Sequence, residues 1–366
     1  MTVQAKRSLK VEKLARIYDD EIAPVWGTRF GKMLLRNLSV PERGQVLDVS
    51  CGTGYPTVEI LRRMHDGSRL IAIDASSAML DVARKKVADL GPLGKKGVFF
   101  RTESAVPKLS FADDVYDLVV CNLGLAEMPS IEIALRDFTR VTKRGGEVRC
   151  TLPLAGSFQE FHDLYREVLI KHDKHEALDR LEQLVSRYPT VDHVDRCMKT
   201  AKLTGGLEVE EFSLLFKSSR EFFFAPVIEY GPLAQWKEIA GGGQEMQDVF
   251  WYIKEAIDAY FDGRPFQVTI KAGCIIGRKL DQRPQEVPQV VTSPFTRSVL
   301  DDDDEGSIPL PPLDLAAGSV QMSDPDDLDV AVDVDTESAE LTADLGAESE
   351  LEAFIDGGHR PTHLDD

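Results

Sequence analysis

The stretch Val46–Ile60 reads VLDVSCGTGYPTVEI. An apolar run holding one aspartate, Asp48, enters a turn with two glycines, Gly52 and Gly54. It leaves that turn on a helix-like apolar pattern. With Pro41 and Gly44 in front and the glycines behind, the run VLDV has the marks of a buried parallel strand. In a strand–turn–helix unit the N–H groups of the turn and the positive end of the helix face one ligand. Phosphate suits such a turn, but a carboxylate beside it repels a dianion.

Outward from this stretch the alternation continues. Thr57–Met64 is expected to be helical, and Arg69–Ile73 is expected to be a strand ending in Asp74. Ser77–Leu90 carries Met79, Leu80, Ala83 and Val87 on one helical face. Gly97–Arg101 and Tyr116–Cys121 read as strands, and Ile131–Val141 reads as a helix. Lys143-Arg144-Gly145-Gly146 is expected to close that helix as a basic last turn with a glycine stop, before a fifth strand at Glu147–Leu152. Strands separated by helices imply crossover units and a parallel sheet covered on both faces. Upstream, apolar residues from Val11 to Leu38 recur at helical spacing, broken at Pro24. Downstream come one long helical stretch at Ser157–Tyr188, an alternating strand at Leu207–Lys217, an aromatic-rich segment at Ser218–Arg264 and a last strand at Phe266–Leu280. The two late strands have no compact helical crossover between them, so an antiparallel edge is expected. The fold expected is α/β, a Rossmann-like doubly wound seven-stranded sheet with an antiparallel last strand and a helical lid.

The charge is unevenly spread. Residues 284–366 hold 22 acids and two bases, whereas the first 283 residues are nearly neutral. That tail has too little apolar surface to offset ordering entropy, so disorder is expected there. Within it, residues 336–355 form a candidate docking segment for a protein partner. A near-neutral body with an acidic tail argues against nucleic acid as a partner. No run approaches a membrane span, and the charged N-terminus lacks the apolar core of a signal peptide, so a cytoplasmic location is expected. Five widely spaced cysteines without a CxxC suggest neither a disulfide framework nor a zinc site. His172 and His175 lie in a polar helical stretch, and His193 and Cys197 have no further partner at ligand spacing, so no metal is expected.

The dinucleotide fingerprint GxGxxG competes for the turn and fails at its third glycine, where Thr57 stands. Asp74 lies 20 residues beyond Gly54, placed to accept ribose hydroxyls. A dinucleotide and S-adenosylmethionine share a ribose, so Asp74 does not discriminate between them. Asp48 and the missing glycine favour a ligand with no phosphate and an ammonium near the strand end, demands that S-adenosylmethionine meets.

In order and spacing, VLDVSCGTG, IAIDASSAML, DLVVCNLGLAEM and LRDFTRVTKRGGEV resemble the class I S-adenosylmethionine-dependent methyltransferases, nearest to their small-molecule, quinone-biosynthesis branch. The resemblance covers roughly Val11–Leu152. It implies a helical cap over residues 1–40 and a methyltransferase domain over 41–283, with helical substrate-lid insertions at 155–205 and 218–264, followed by the tail. By that resemblance Asp48, Gly52 and Gly54 hold the methionine moiety, Asp74 takes the ribose, and Ala75 lies against adenine. Glu103 and Ser104 contact the adenine edge. Cys121, Asn122 and Leu123 lie under the methionine chain, and Tyr18 closes over the cofactor. The sequence departs from the family at three points. Ser50 stands where glycine is usual, Ala126-Glu127 replaces a common His-His pair, and Glu103 is longer than the usual aspartate.

The activity implied is methyl transfer to a small, partly apolar acceptor by in-line SN2 displacement. Positioning supplies much of the acceleration. Where the acceptor must lose a proton, His162, Glu127 and Tyr18 are the candidate catalytic groups. The alternatives are a protein methyltransferase recruited through the tail, and a non-catalytic S-adenosylmethionine-binding scaffold.

Overall fold

The computed structural model describes residues 3–280 apart from 96 and 262, and the expected tail with its segment 336–355 lies outside the described residues. Seven strands form one sheet: β1 Gln45–Val49, β2 Arg69–Asp74, β3 Gly97–Thr102, β4 Tyr116–Asn122, β5 Thr142–Pro153, β6 Leu203–Phe216 and β7 Phe266–Lys279. Their order is β3-β2-β1-β4-β5-β7-β6. The first five are parallel, and β7 runs antiparallel to both β5 and β6, as expected for the last strand. The order reverses between β1 and β4, which opens a crevice at the carboxyl ends of those strands.

Helices α1 Val3–Ile17 and α2 Gly27–Leu35 precede the sheet, joined through a π-helical turn at Tyr18–Ile22. The crossovers carry α3 Tyr55–Arg63, α4 Ser77–Ala88 and α5 Ile131–Val141. The lid comprises α6 Gln159–Lys171, α7 His175–Val185, α9 Ser219–Phe224, α10 Pro226–Glu229, α11 Leu233–Ala240 and α12 Gly243–Phe261, while α8 Val191–Thr200 packs with α5 against the sheet. Local chemistry sets several starts. The Ser76, Ser130 and Thr190 hydroxyls accept from the first turns of α4, α5 and α8, and Pro56 occupies the first turn of α3.

The central strands are apolar on both faces because both faces are covered. Val46, Leu118 and Val120 join a core with α2 and α3, while Leu47, Val49, Val119 and Cys121 join one with α5 and α8. In the lid the packing is largely aromatic. Phe161 lies 4.0 Å from Trp236 between ring centroids, and Phe222 lies 5.0 Å from Phe161.

Two expectations need correction. Lys143–Gly146 is not the last turn of a helix. The helix stops at Val141, Thr142 is already extended, and the four residues form an irregular start to β5 opposite a register shift between Tyr116 and Leu118. Lys143 Nζ donates to Asp117 at 2.8 Å instead of capping α5. The stretch Ser157–Tyr188 is two helices. The polar run around Asp173, in a left-handed conformation with φ 53°, breaks it into α6 and α7, and the sequence pattern did not show α8 beyond them.

One buried charge fixes the N-terminal helices to the sheet. Arg149 on β5 is 5% exposed. Its guanidinium donates to the carbonyls of Leu34 and Arg36 at 2.9 and 2.6 Å, at the open end of α2, and pairs with Glu147. Replacing it strands those carbonyls and the acid in the interior. Arg149→Leu is expected to lose about 3 kcal/mol in urea unfolding. A loss under about 1 kcal/mol would show that the tie is dispensable.

Candidate functional site

The crevice is built from the ends of β1, β2 and β4. Asp48 sits fully buried within β1, flanked in register by Ala72 of β2 and Val120 of β4. One carboxylate oxygen accepts from the Thr57 hydroxyl at 2.6 Å, and the other, Oδ1, has no partner among the described residues. Burial, opposed by the Thr57 hydrogen bond and aided by the nearby charge of Asp74, pushes Asp48 up to about 7. The Thr53 hydroxyl in the adjoining turn is also buried and unpartnered.

The turn is held by Asp74. Its Oδ2 accepts the Gly52 N–H and its Oδ1 the Ser76 N–H, each at 2.8 Å. Burial raises its pKa, and these two hydrogen bonds act against the rise. A carboxylate has lone pairs left after two such bonds, so Asp74 can organise the turn and still accept from a ligand. Gly54 adopts φ 85°, and a Cβ there would lie 2.8 Å from the Ala83 methyl carbon, so only glycine lets α3 approach α4 so closely. Ser50 adopts φ 54°, a conformation a glycine takes without strain. Leu123 is likewise left-handed at φ 71°.

Two acids and a phenol face the same crevice. Tyr18 stands on the π-helical turn with its ring over the glycine turn. A Cβ on Gly52 would be 3.8 Å from that ring, and one on Gly27 would be 3.6 Å from its hydroxyl. Burial, then the charges of Glu127, Asp74 and Asp19, push Tyr18 up to about 12. Glu127 ends the turn Gly124–Glu127 after β4. Its side chain is exposed, and desolvation with the charge of Asp74 raises its pKa. The crevice is thus strongly electronegative.

The remaining expected site residues are placed differently from one another. Ala75 is exposed between β2 and α4. The Glu103 backbone N–H donates to the Asp74 carbonyl at 3.0 Å, which brings the two strand ends together. Its carboxylate already accepts from the Ser110 N–H at 3.0 Å, and Arg101 Nε lies 2.8 Å from the other oxygen without hydrogen-bond alignment. Ser104 is exposed and its hydroxyl accepts from the Val106 N–H. The Cys121 side chain is wholly buried in the core under α5, with its thiol pushed up by burial, so it turns away from the crevice. The Asn122 amide is committed to structure. It donates to the Gly27 carbonyl at 3.0 Å and accepts from the Thr151 hydroxyl at 2.7 Å, which ties α2 to the tip of β4. Leu123 is 9% exposed, with its N–H donating to Thr151.

His162 is not in the crevice. It is fully buried on α6 among Phe158, Phe161, Tyr188 and Trp236. Burial first, then Arg166, lowers its pKa to about 4, which makes it a weak proton acceptor. Among the described residues no group of acids, histidines and cysteines could hold a metal ion, and no helix is long and apolar enough to cross a membrane. Sequence reading missed Thr53, Thr57 and Thr151. The only local signal for Thr57 was its place on the first turn of the helix after Gly54.

A family described as a methyltransferase domain matches residues 46–146, which span β1 to the start of β5. Demethylmenaquinone methyltransferase of Halalkalibacterium halodurans is 28% identical over 191 residues, covering 50% of this chain and 76% of its own. The Staphylococcus aureus protein of the same name is 27% identical over 206 residues, 53% of this chain and 80% of its own. The solved YcgJ protein from Bacillus subtilis superposes with TM-score 0.45 at 17% identity, covering 69% of this chain and 98% of that one.

The buried acid makes stability depend on pH. Asp48 is raised in the fold from 3.8 to about 7, so the folded chain keeps a proton that the unfolded chain gives up. Its contribution is complete below about pH 4 and is lost as pH rises through about 7. Asp48→Asn removes this loss. Its stability relative to the unmodified protein, measured by urea unfolding without ligand, is expected to climb by up to about 4 kcal/mol from pH 4 to 8. A difference that stays flat across that range would contradict the assignment.

Proposed function

We propose that this chain is a class I S-adenosylmethionine-dependent methyltransferase that methylates a small, partly apolar acceptor of the demethylmenaquinone kind by in-line displacement. The observation that carries the reading is the orphaned carboxylate oxygen of Asp48 at a glycine turn, in a crevice that also holds Asp74 and Glu127. Such a site favours a cation with amino and ribose groups over a pyrophosphate.

S-adenosylmethionine, when bound, supplies a methyl group already activated by the sulfonium charge, with a neutral thioether as leaving group. The protein's part is to hold, orient and exclude water. Asp48 and Thr53 offer two buried unpartnered acceptors for the ammonium end, and Asp74 offers its free lone pairs to the ribose. Tyr18 covers the turn from above. Glu103 takes the adenine amino group only by sharing it with Ser110 and Arg101, so its contribution is small. Cys121 and Asn122 support the floor of the crevice through packing and the Thr151–Asn122–Gly27 relay. Where the acceptor atom must lose a proton, Glu127 is the acceptor of that proton. A carboxylate with a raised pKa is a stronger base than an ordinary one, and burial denies His162 that role.

Support for a demethylmenaquinone-like acceptor comes from the names of the two relatives and from the aromatic lid beside the crevice. Five buried free thiols support a reducing, cytoplasmic setting.

Calorimetry tests the cofactor assignment. Ionised Asp48 binds the ammonium, so association is expected to release a proton, and affinity is expected to rise between about pH 6 and 7.5. Asp48→Asn abolishes that slope, and Asp74→Ala weakens binding at least about 100-fold through two lost charge-assisted hydrogen bonds. Unaltered affinity in Asp74→Ala would remove the ribose assignment.

Mass spectrometry tests the acceptor. Reduced demethylmenaquinone should gain one methyl group, and Glu127→Gln should cut kcat about 100-fold or more while leaving cofactor affinity nearly intact. The kcat of the unmodified enzyme should rise with pH through the raised carboxylate range, and the variant should lose that rise. Equal turnover by the variant would exclude Glu127 as the base.

A further inference from the structure

Away from the cofactor crevice, two polar side chains share an apolar interior with nothing to bond. His162 on α6 and Trp236 on α11 are both 0% exposed. Neither ring nitrogen of His162 has a hydrogen-bond partner among the described residues, and neither does the indole Nε1 of Trp236. Their rings lie 5.9 Å apart, edge to face at 85°. Buried polar groups are nearly always satisfied, and an orphan calls for a water, a ligand or a catalytic use. Two such orphans in ring contact, one a donor and the other both donor and acceptor, leave hydrogen-bonding groups available to one incoming oxygen atom.

That place connects to the crevice by an aromatic path. The Asn122 amide at the tip of β4 holds the Gly27 carbonyl. The preceding residue, Trp26, is half-buried and stacks on Phe158 at 6.0 Å. Phe158 in turn meets Trp236 at 5.6 Å and His162 at 6.3 Å. This run of ring contacts links the neighbourhood of the Asn122 amide to the orphaned pair.

Access comes from α11. This eight-residue helix carries Trp236 and lies between Gly231-Pro232 and the run Gly241-Gly242-Gly243. Gly241 and Gly243 have φ of 100° and 56°, and a Cβ on Gly242 or Gly243 would meet nothing within 4 Å. Crowding does not explain glycine at 242 and 243, and at 241 and 243 the left-handed backbone does. The helix buries Leu233, Trp236, Ile239 and Ala240, and its backbone is tied by the Tyr165 hydroxyl donating to the Trp236 carbonyl at 2.8 Å and Arg180 donating to the Ile239 carbonyl at 2.9 Å.

We propose that His162 and Trp236 form the polar anchor of the methyl acceptor, binding an oxygen of a planar aromatic molecule that α11 admits. The inference rests on the small-acceptor reading above and names the residues that orient that acceptor. Both are positioning residues, since they bind the end of the acceptor remote from the cofactor turn.

The test uses 1-naphthol, a ring with one oxygen, against naphthalene, the same ring without it. Protein labelled with 15N at its three tryptophans is titrated by NMR, and Trp236→Phe assigns the indole resonance. Naphthol is expected to move the Trp236 indole signal saturably, and His162→Phe is expected to weaken naphthol about tenfold while leaving naphthalene unchanged, the worth of one hydrogen bond. His162→Phe should also melt no lower than the unmodified protein, because it removes a buried unsatisfied group. In turnover of a reduced naphthoquinone it should raise KM more than it lowers kcat. A Trp236 signal indifferent to naphthol, or equal naphthol affinity in His162→Phe, overturns the anchor and leaves an internal water as the occupant. If the Trp236 shift appears while the unmodified enzyme turns over no naphthoquinone, the anchor stands and the quinone-like acceptor is wrong.

Discussion

The structure depends on one uncomfortable carboxylate. Asp48 is placed in the central strand of the sheet, between two neighbours whose side chains are apolar, and receives one hydrogen bond where an ionised carboxylate can take several. Desolvation dominates its titration, so without a ligand it holds a proton near neutrality. A fold seeking stability alone would fill that position with valine. A buried acid with an unpartnered oxygen beside a glycine turn is a vacancy that a cationic ligand would fill.

Asp74 shows how the same residue type serves the opposite purpose a strand away. Both its oxygens are engaged by backbone N–H groups, so it is anchored before any ligand arrives and fixes the turn to the end of β2. The pair divides the labour, with Asp74 rigid and partly satisfied and Asp48 buried and unsatisfied. Their proximity raises Asp48 further, and Asp74 does the same to Glu127 and Tyr18. The potential of the crevice thus belongs to the group of acids and not to any one of them.

The parallel half of the fold was legible because its signals are local. Each central strand is a short apolar run closed by turn residues, and each crossover helix has an apolar face and a local start signal, a serine cap on α4 and α5 and Gly54-Tyr55-Pro56 on α3. Asp48, Gly52, Gly54 and Asp74 were legible for the same reason, each having a fixed relation to a strand end. What escaped reading depends on contacts distant in sequence. Lys143–Gly146 resembles a helix stop, but pairing with β4 and the pull of Asp117 on Lys143 draw it into the sheet. The side chain of Asn122 looks available until Gly27 and Thr151 claim it, from 95 residues before and 29 after. His162 reads as a candidate base because its helix follows the fifth strand, where it could border the acceptor. Its own burial comes from Trp236 and Tyr188, which no pattern in its neighbourhood announces.

The lid and the sheet follow different rules, and the difference is chemical. A cofactor common to many reactions can be met by backbone geometry and two carboxylates, which the strand ends supply at fixed positions. An acceptor must be admitted, turned and released, so its contacts belong on elements that move. Aromatic side chains suit that task, because they bury large areas with few rotors and tolerate sliding between edge and stacked contacts. Trp236 exemplifies it, packed at 4.0 Å against Phe161 yet carried on a short helix bounded by glycines. An indole held by ring contacts alone keeps its N–H free for a partner from outside, whereas the Tyr165 hydroxyl, already bonded to the Trp236 carbonyl, has no such freedom. The unsatisfied donor therefore sits where ring packing holds the indole in place without using its N–H.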